Sequence, residues 1–139
     1  MPSSLRFPYV VAQNTLGESI SRPILPTELT HSNQSLQAFG LVDSGADVNM
    51  LPYELGIALG LDWDSQDYAL HLSGNMANYE ARGVIVTGRI GNFPLIDMAF
   101  AWVRAEGVPL IFGQTNFFEA FEVCFFRLES YFTITRKGT

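Results

Sequence analysis

The stretch Gly40-Leu41-Val42-Asp43-Ser44-Gly45-Ala46-Asp47-Val48-Asn49-Met50-Leu51-Pro52 sets the reading of the whole chain. An apolar strand runs into a carboxylate, then a hydroxyl, then glycine. This order places Asp43 at the end of a buried strand, on a tight turn that Gly45 makes easy. A carboxylate at that depth needs hydrogen bonds or a partner, because leaving it charged and alone costs several kcal/mol. The bland reading is an ordinary β-turn, since Asp, Ser and Gly all favour turns.

On either side of this stretch, short apolar runs are punctuated by Gly, Asn and Pro, which predicts a mostly β chain. Phe7 to Gln13 reads as a first extended segment, followed by an Asn-Thr-Leu-Gly-Glu turn. Ile24 to Thr30 and Leu36 to Val42 read as a hairpin closed by the polar residues His31 to Ser35. Pro52 opens a short helix over Tyr53 to Leu59, and Gly60 is placed to end it. Strand character resumes from Tyr68 to Leu72, and Ser73-Gly74-Asn75-Met76 reads as a hairpin tip whose return arm starts near Tyr79. Val84 to Ile90 and Phe93 to Val103 form a further hairpin around Gly91-Asn92. Val108 to Phe112 is a wholly apolar strand ending at Gly113. One or two helical turns fit Asn116 to Ala120, and Val123 to Thr135 closes the chain as two strands. The expected architecture is a small closed β-barrel with one or two short helices.

With 139 residues, the chain is expected to be one domain with its own core. It is 47% hydrophobic and contains 11 Phe, which argues against disorder. A net charge of −6, with no basic patch, argues against nucleic acid and anionic membrane as partners. No apolar run reaches bilayer-spanning length, and the first residues lack the charged and apolar regions of a secretory signal. The single cysteine, Cys124, has no partner for an internal disulfide, so the expected compartment is the reducing cytoplasm. Cys124 lies between Val123 and Phe125 and reads as a buried small hydrophobe.

Two separated segments, in order, resemble the retropepsin-like aspartic proteases. One is Leu41-Val42-Asp43-Ser44-Gly45-Ala46-Asp47. The other is Pro109-Leu110-Ile111-Phe112-Gly113-Gln114-Thr115-Asn116-Phe117-Phe118, a strand leading through glycine into a short helix. The resemblance covers roughly residues 22 to 135 and leaves an N-terminal extension, residues 1–21, without an assigned role. It implies a homodimer in which Asp43 of each copy meets at a two-fold axis. A water attacking a peptide carbonyl needs one group to take its proton and another to protonate the carbonyl oxygen. Two close carboxylates that share a proton supply both. The resemblance therefore implies an aspartic endopeptidase acting on a peptide or protein, without metal or cofactor.

Carried over residue by residue, Asp43 is the catalytic acid and Ser44 braces the two loops across the dimer. Gly45 brings its backbone close to the substrate. Ala46 and Asp47 contact the substrate, as do Gly74, Asn75 and Met76 at the hairpin tip, and Ile111 lines a specificity pocket. Retroviral enzymes usually carry arginine after the second glycine, paired with the acid that maps to Asp47. Here Gln114 stands there, so that pair becomes at most a neutral hydrogen bond. The hairpin tip carries a single glycine, Gly74. The competing reading is a dimeric module of the same fold that binds a peptide or protein without cutting it. A third is an unrelated β-barrel with an apolar ligand.

Other candidates carry less. Asp62, Asp64 and Asp67 lack the glycine and glutamate of a calcium loop and read as a solvated turn. His31 and His71 have no metal-ligand spacing. Phe117 to Phe121 reads as core packing around a short helix. No Gly-x-Ser-x-Gly elbow and no phosphate-binding glycine loop is present.

Overall fold

The computed structural model describes residues 3–72 and 78–136. In chain order its strands are β1 (Ser4–Pro8), β2 (Val10–Gln13), β3 (Ser19–Arg22), β4 (Ile24–His31), β5 (Gln34–Val42) and β6 (Met50–Pro52). Helix α1 (Tyr53–Ala58) and a single turn at Trp63–Ser65 follow. Then come β7 (Ala69–Leu70), β8 (Glu80–Arg89), β9 (Ile96–Arg104), β10 (Ile111–Phe112), helix α2 (Phe117–Ala120), β11 (Phe121–Phe126) and β12 (Tyr131–Arg136).

Six strands close into a barrel in the order β4-β5-β10-β6-β9-β8, with β8 pairing back onto β4 at Glu28↔Arg89, Leu29↔Gly88 and Thr30↔Thr87. Closure leaves few free edges, the usual hazard of a small sheet. The strands β5 and β6 follow each other in sequence but are not neighbours. Between them lies β10, parallel to β5 and antiparallel to β6. The loop 43–49 must therefore cross the end of β10, and this crossing positions the site.

Strand alternation explains the core. On β4, Leu25, Thr27 and Leu29 point inward; on β5, Ala38, Gly40 and Val42 do. They meet Leu51, Met98, Phe100, Phe112 and Phe117, all buried. Gly40 is required because the Phe112 ring lies where its side chain would be. Gly56 has the same relation to Trp102, which lets α1 lie flat on β9. There Trp102 donates from Nε1 to the carbonyl of Tyr53 at 3.1 Å and stacks against its ring. Pro52 flanks the helix, and Gly60, at φ +85°, ends it by donating to Ile57.

Several sequence expectations shift. The segment from Phe7 breaks at Tyr9, and its halves join different sheets: β1 pairs with β12, and β2 with β3. The extension is thus partly built into a three-stranded sheet, β1-β12-β11. The apolar run Val108 to Phe112 is a strand only at Ile111–Phe112, since Pro109 has no N–H to give a ladder. Arm and hairpin merge into one strand, β8, from Glu80 to Arg89. Cys124 is exposed, not buried, because β11 has solvent on its outer face. The tip residues Gly74, Asn75 and Met76 lie outside the described residues. Among the described residues no helix is long and apolar enough to cross a membrane.

Candidate active site

The last residue of β5, Val42, is buried, and Asp43 emerges half-buried beyond it. Two backbone bonds fix this exit. The Asp43 N–H donates to the Phe112 carbonyl at 3.0 Å, which continues the β5–β10 ladder by one residue. The Val42 N–H donates to the carbonyl of Pro23 at 3.0 Å, on the opposite side. The strand cannot slide or rotate without breaking both, so the carboxyl leaves the barrel at a set point.

Beyond it the turn organises itself. The Gly45 N–H donates to Asp43 Oδ1 at 2.9 Å, and the Ala46 N–H donates to the Asp43 carbonyl at 3.1 Å. That is the turn chemistry expected of an Asp-x-Gly sequence. It also orients the carboxyl, because one oxygen is held by an amide while the other stays available. Ser44, Gly45 and Asp47 are exposed and Ala46 is half-buried.

What exceeds an ordinary turn is the second strand-to-helix segment laid against it. The Gln114 N–H donates to the Ala46 carbonyl at 2.8 Å, and the Thr115 N–H donates to the Asp47 carbonyl at 2.9 Å. Gln114 Nε2 donates to the Ser44 carbonyl at 2.7 Å. The sequence expectation paired Gln114 with Asp47; the side chain instead reaches the loop backbone three residues nearer the strand end, at Ser44. Gly113 sits where a side chain would lie 2.6 Å from the Val48 carbonyl oxygen and 2.7 Å from that of Ala46. Only glycine permits the two segments to approach this closely.

Beneath the loop lies Asn49, fully buried. Its Oδ1 accepts from the Gly113 N–H at 2.8 Å, and its Nδ2 donates to the Ala99 carbonyl at 3.0 Å and faces Asn116 Oδ1 at 3.4 Å. Asn116 has φ +78° and closes a reciprocal cap with Glu119 at the start of α2. One buried amide therefore joins the loop after β5, the strand β9 and the turn after β10. Burying so polar a group is tolerable because its partners satisfy it. The sequence reading missed Asn49 and its link to Asn116. The pattern Asn116-x-x-Glu119 was the available signal for the helix cap.

Next to the loop opens a cleft of about 610 Å³. It begins at Val48, one residue past Asp47, and runs between Tyr68, Leu70, Ile85 and Ala101, with Asn49 and Thr115 on its floor. Its walls are mostly apolar side chains of β7, β8 and β9. Ile111 does not line it; that residue is half-buried, opposite Leu41 and Met50. The structure thus gathers Asp43 to Asp47 at one end of the barrel, with the cleft leading away from them.

No protein-family model matches the sequence, and no curated protein matches it. Solved structures do. A retropepsin-like aspartic protease from Rickettsia conorii superposes with a TM-score of 0.60 at 17% identity, over 98% of this chain and 96% of that one. EIAV protease in complex with the inhibitor HBY-793 superposes with a TM-score of 0.51 at 18% identity, over 73% of this chain and 88% of that one. These likenesses are of fold, and the fold is retropepsin-like.

Proposed function

We propose that two copies of this chain form an aspartic endopeptidase, with one Asp43 from each meeting at a shared site. The observation that carries this reading is the placement of Asp43. It sits at the mouth of the β5–β10 crossing, with Oδ1 held by the Gly45 amide and an apolar cleft opening beside its loop. The retropepsin-like fold agrees with it, and so does the order of the two motifs.

The proposed chemistry follows from a pair of such carboxyls. Brought within a few ångströms, they cannot comfortably both carry charge, so they share one proton. The charged member takes a proton from a water poised between them. The protonated member gives its proton to the peptide carbonyl oxygen as the water attacks. A tetrahedral diol forms, and its collapse breaks the C–N bond as a carboxyl returns a proton to the leaving amine. The Gly45 amide keeps each carboxyl in plane during these transfers. Ser44 and the Gln114 contact to its carbonyl hold the loop that carries it.

An extended peptide would lie along the loop, with Ala46 and Asp47 beside its main chain. A side chain some residues from the cut would enter the cleft past Val48. Because that cleft is lined chiefly by apolar groups, the proposed substrate presents a large apolar residue there. Gly74, Asn75, Met76 and Ile111 remain proposed contacts on the strength of the resemblance. The lone cysteine places the enzyme, in this reading, in the cytoplasm.

The test is a peptide library incubated with the wild-type chain and with Asp43→Asn over a range of pH. Cleavage by the wild type alone, with a bell-shaped pH profile, is the expected outcome. Peptide binding without cleavage by either form would favour the non-catalytic module. Equal cleavage by both would remove Asp43 from the chemistry.

A further inference from the structure

We infer that the β2–β3 ribbon is an arm that docks onto a second copy of this chain. The inference builds on the two-copy reading above and names the surface that would hold the pair together.

The ribbon is a sheet of only two strands, paired from Val10↔Arg22 to Gln13↔Ser19. Two strands alone are marginal in water, and of this pair only Ile20 and Ser21 are even half-buried. Every residue of β2 is exposed, Val11 at 67%, and Leu16 at the tip is 81% exposed. Yet the tip is tightly built. Asn14 Oδ1 accepts from the Leu16 N–H at 2.9 Å and the Glu18 N–H at 3.0 Å, while its Nδ2 donates to Glu18 Oε1 at 3.1 Å. Gly17, at φ +79°, completes the turn. A preformed tip that presents a leucine to water gains nothing within its own chain. Such pre-ordering lowers the entropic cost of docking against another surface.

The ribbon's roots locate that surface. On one side the Tyr9 N–H donates to the Ser130 carbonyl at 2.9 Å, beside the β11–β12 turn, where Leu128 is 92% exposed. On the other side Pro23 accepts from Val42, the residue before Asp43. The arm therefore springs from the same edge of the barrel as the proposed half-site. A second Asp43 approaching that half-site brings its chain alongside the arm. Charge favours the same occupant. The chain carries a net −6, so two copies repel unless they meet over charge-poor surface. From Val10 to Ser21 the only charged residue is Glu18, whose carboxylate already accepts from Asn14.

Sedimentation of the wild type, of V11D/L16D and of the control I57D, together with peptide cleavage at several protein concentrations, tests the arm. Ile57 lies on α1, 47% exposed, and controls for adding charge to an exposed apolar site. The ribbon pair should raise the dimer Kd by about tenfold or more, since it buries charge at an apolar contact. Its circular dichroism should stay unchanged and its cleavage should recover at high concentration, while I57D matches wild type. V11S/L16S, which adds no charge, carries the same test should the aspartates disturb folding. A wild-type dimer whose Kd the ribbon variants leave unchanged overturns the arm and leaves the two-copy enzyme standing. A wild-type chain that stays monomeric at every concentration overturns both.

Discussion

The loop at Asp43 and the ribbon from Val10 to Arg22 are both turns joining β-strands, but opposite means hold them. Residues 43–49 are pinned by groups far away in sequence: Phe112, Gly113, Gln114 and Thr115 through backbone and amide bonds, and Ala99 through buried Asn49. The ribbon tip is held by Asn14 and Glu18, four residues apart, and packs against nothing. The position of Asp43 is therefore a property of the whole barrel. The ribbon's shape is a property of its own dozen residues, and its surface is left for something else. Rigidity bought from the fold suits chemistry; a self-contained arm suits docking.

That contrast can be broken at several points, with effects of decreasing size. Asp43→Asn should reduce turnover by about a thousandfold or more while Tm is unchanged, because an amide still accepts from Gly45 but cannot serve as the base. Steady-state cleavage and a thermal melt check it, and a large loss of Tm would show that the acid acts in folding instead. Gly113→Ala should destabilise the chain by about 3 kcal/mol, since the new methyl must displace the backbone of Ala46 and Val48. Urea unfolding measures it, and a neutral result would mean that the close approach is not needed. Asn49→Ala should cost about 2 kcal/mol by orphaning the Gly113 N–H and the Ala99 carbonyl. It should also lower turnover, because the loop would lose its buried tie. Asn14→Ala, in contrast, should change barrel stability by no more than about 0.5 kcal/mol. A loss there as large as that of Asn49→Ala would erase the distinction between the two regions.

Much of the barrel was legible. Apolar runs broken by Gly, Asn and Pro marked the strands around the site, and Pro52 with Gly60 bracketed α1. Which residues of β4, β5 and β8 face inward came from the folded strands. Asp-x-Gly chemistry alone announced the turn at Asp43. What stayed hidden depends on distance in sequence or on the number of neighbours. Nothing local distinguishes Asn49 from a surface turn residue; its burial arises only when β10 inserts between β5 and β6. Gln114 could be aligned with Asp47, but the carbonyl it reaches belongs to Ser44, because the backbones of the two segments already use the nearer positions. Cys124 sits among apolar neighbours on β11, and a strand with solvent on one face turns every second side chain outward. β3, Ser-Ile-Ser-Arg, has too little apolar content to read as a strand at all. It exists because Val10 to Gln13 fold back upon it.

Mixing tests the central claim most directly. Wild-type chain at fixed concentration is titrated with Asp43→Asn, allowed to exchange subunits, and assayed for peptide cleavage. If each site needs an Asp43 from both copies, activity per wild-type chain falls in proportion to the wild-type share of the pool, as inert mixed pairs form. If activity per wild-type chain stays constant while sedimentation shows the mixed pairs, one carboxyl suffices and the shared site is wrong.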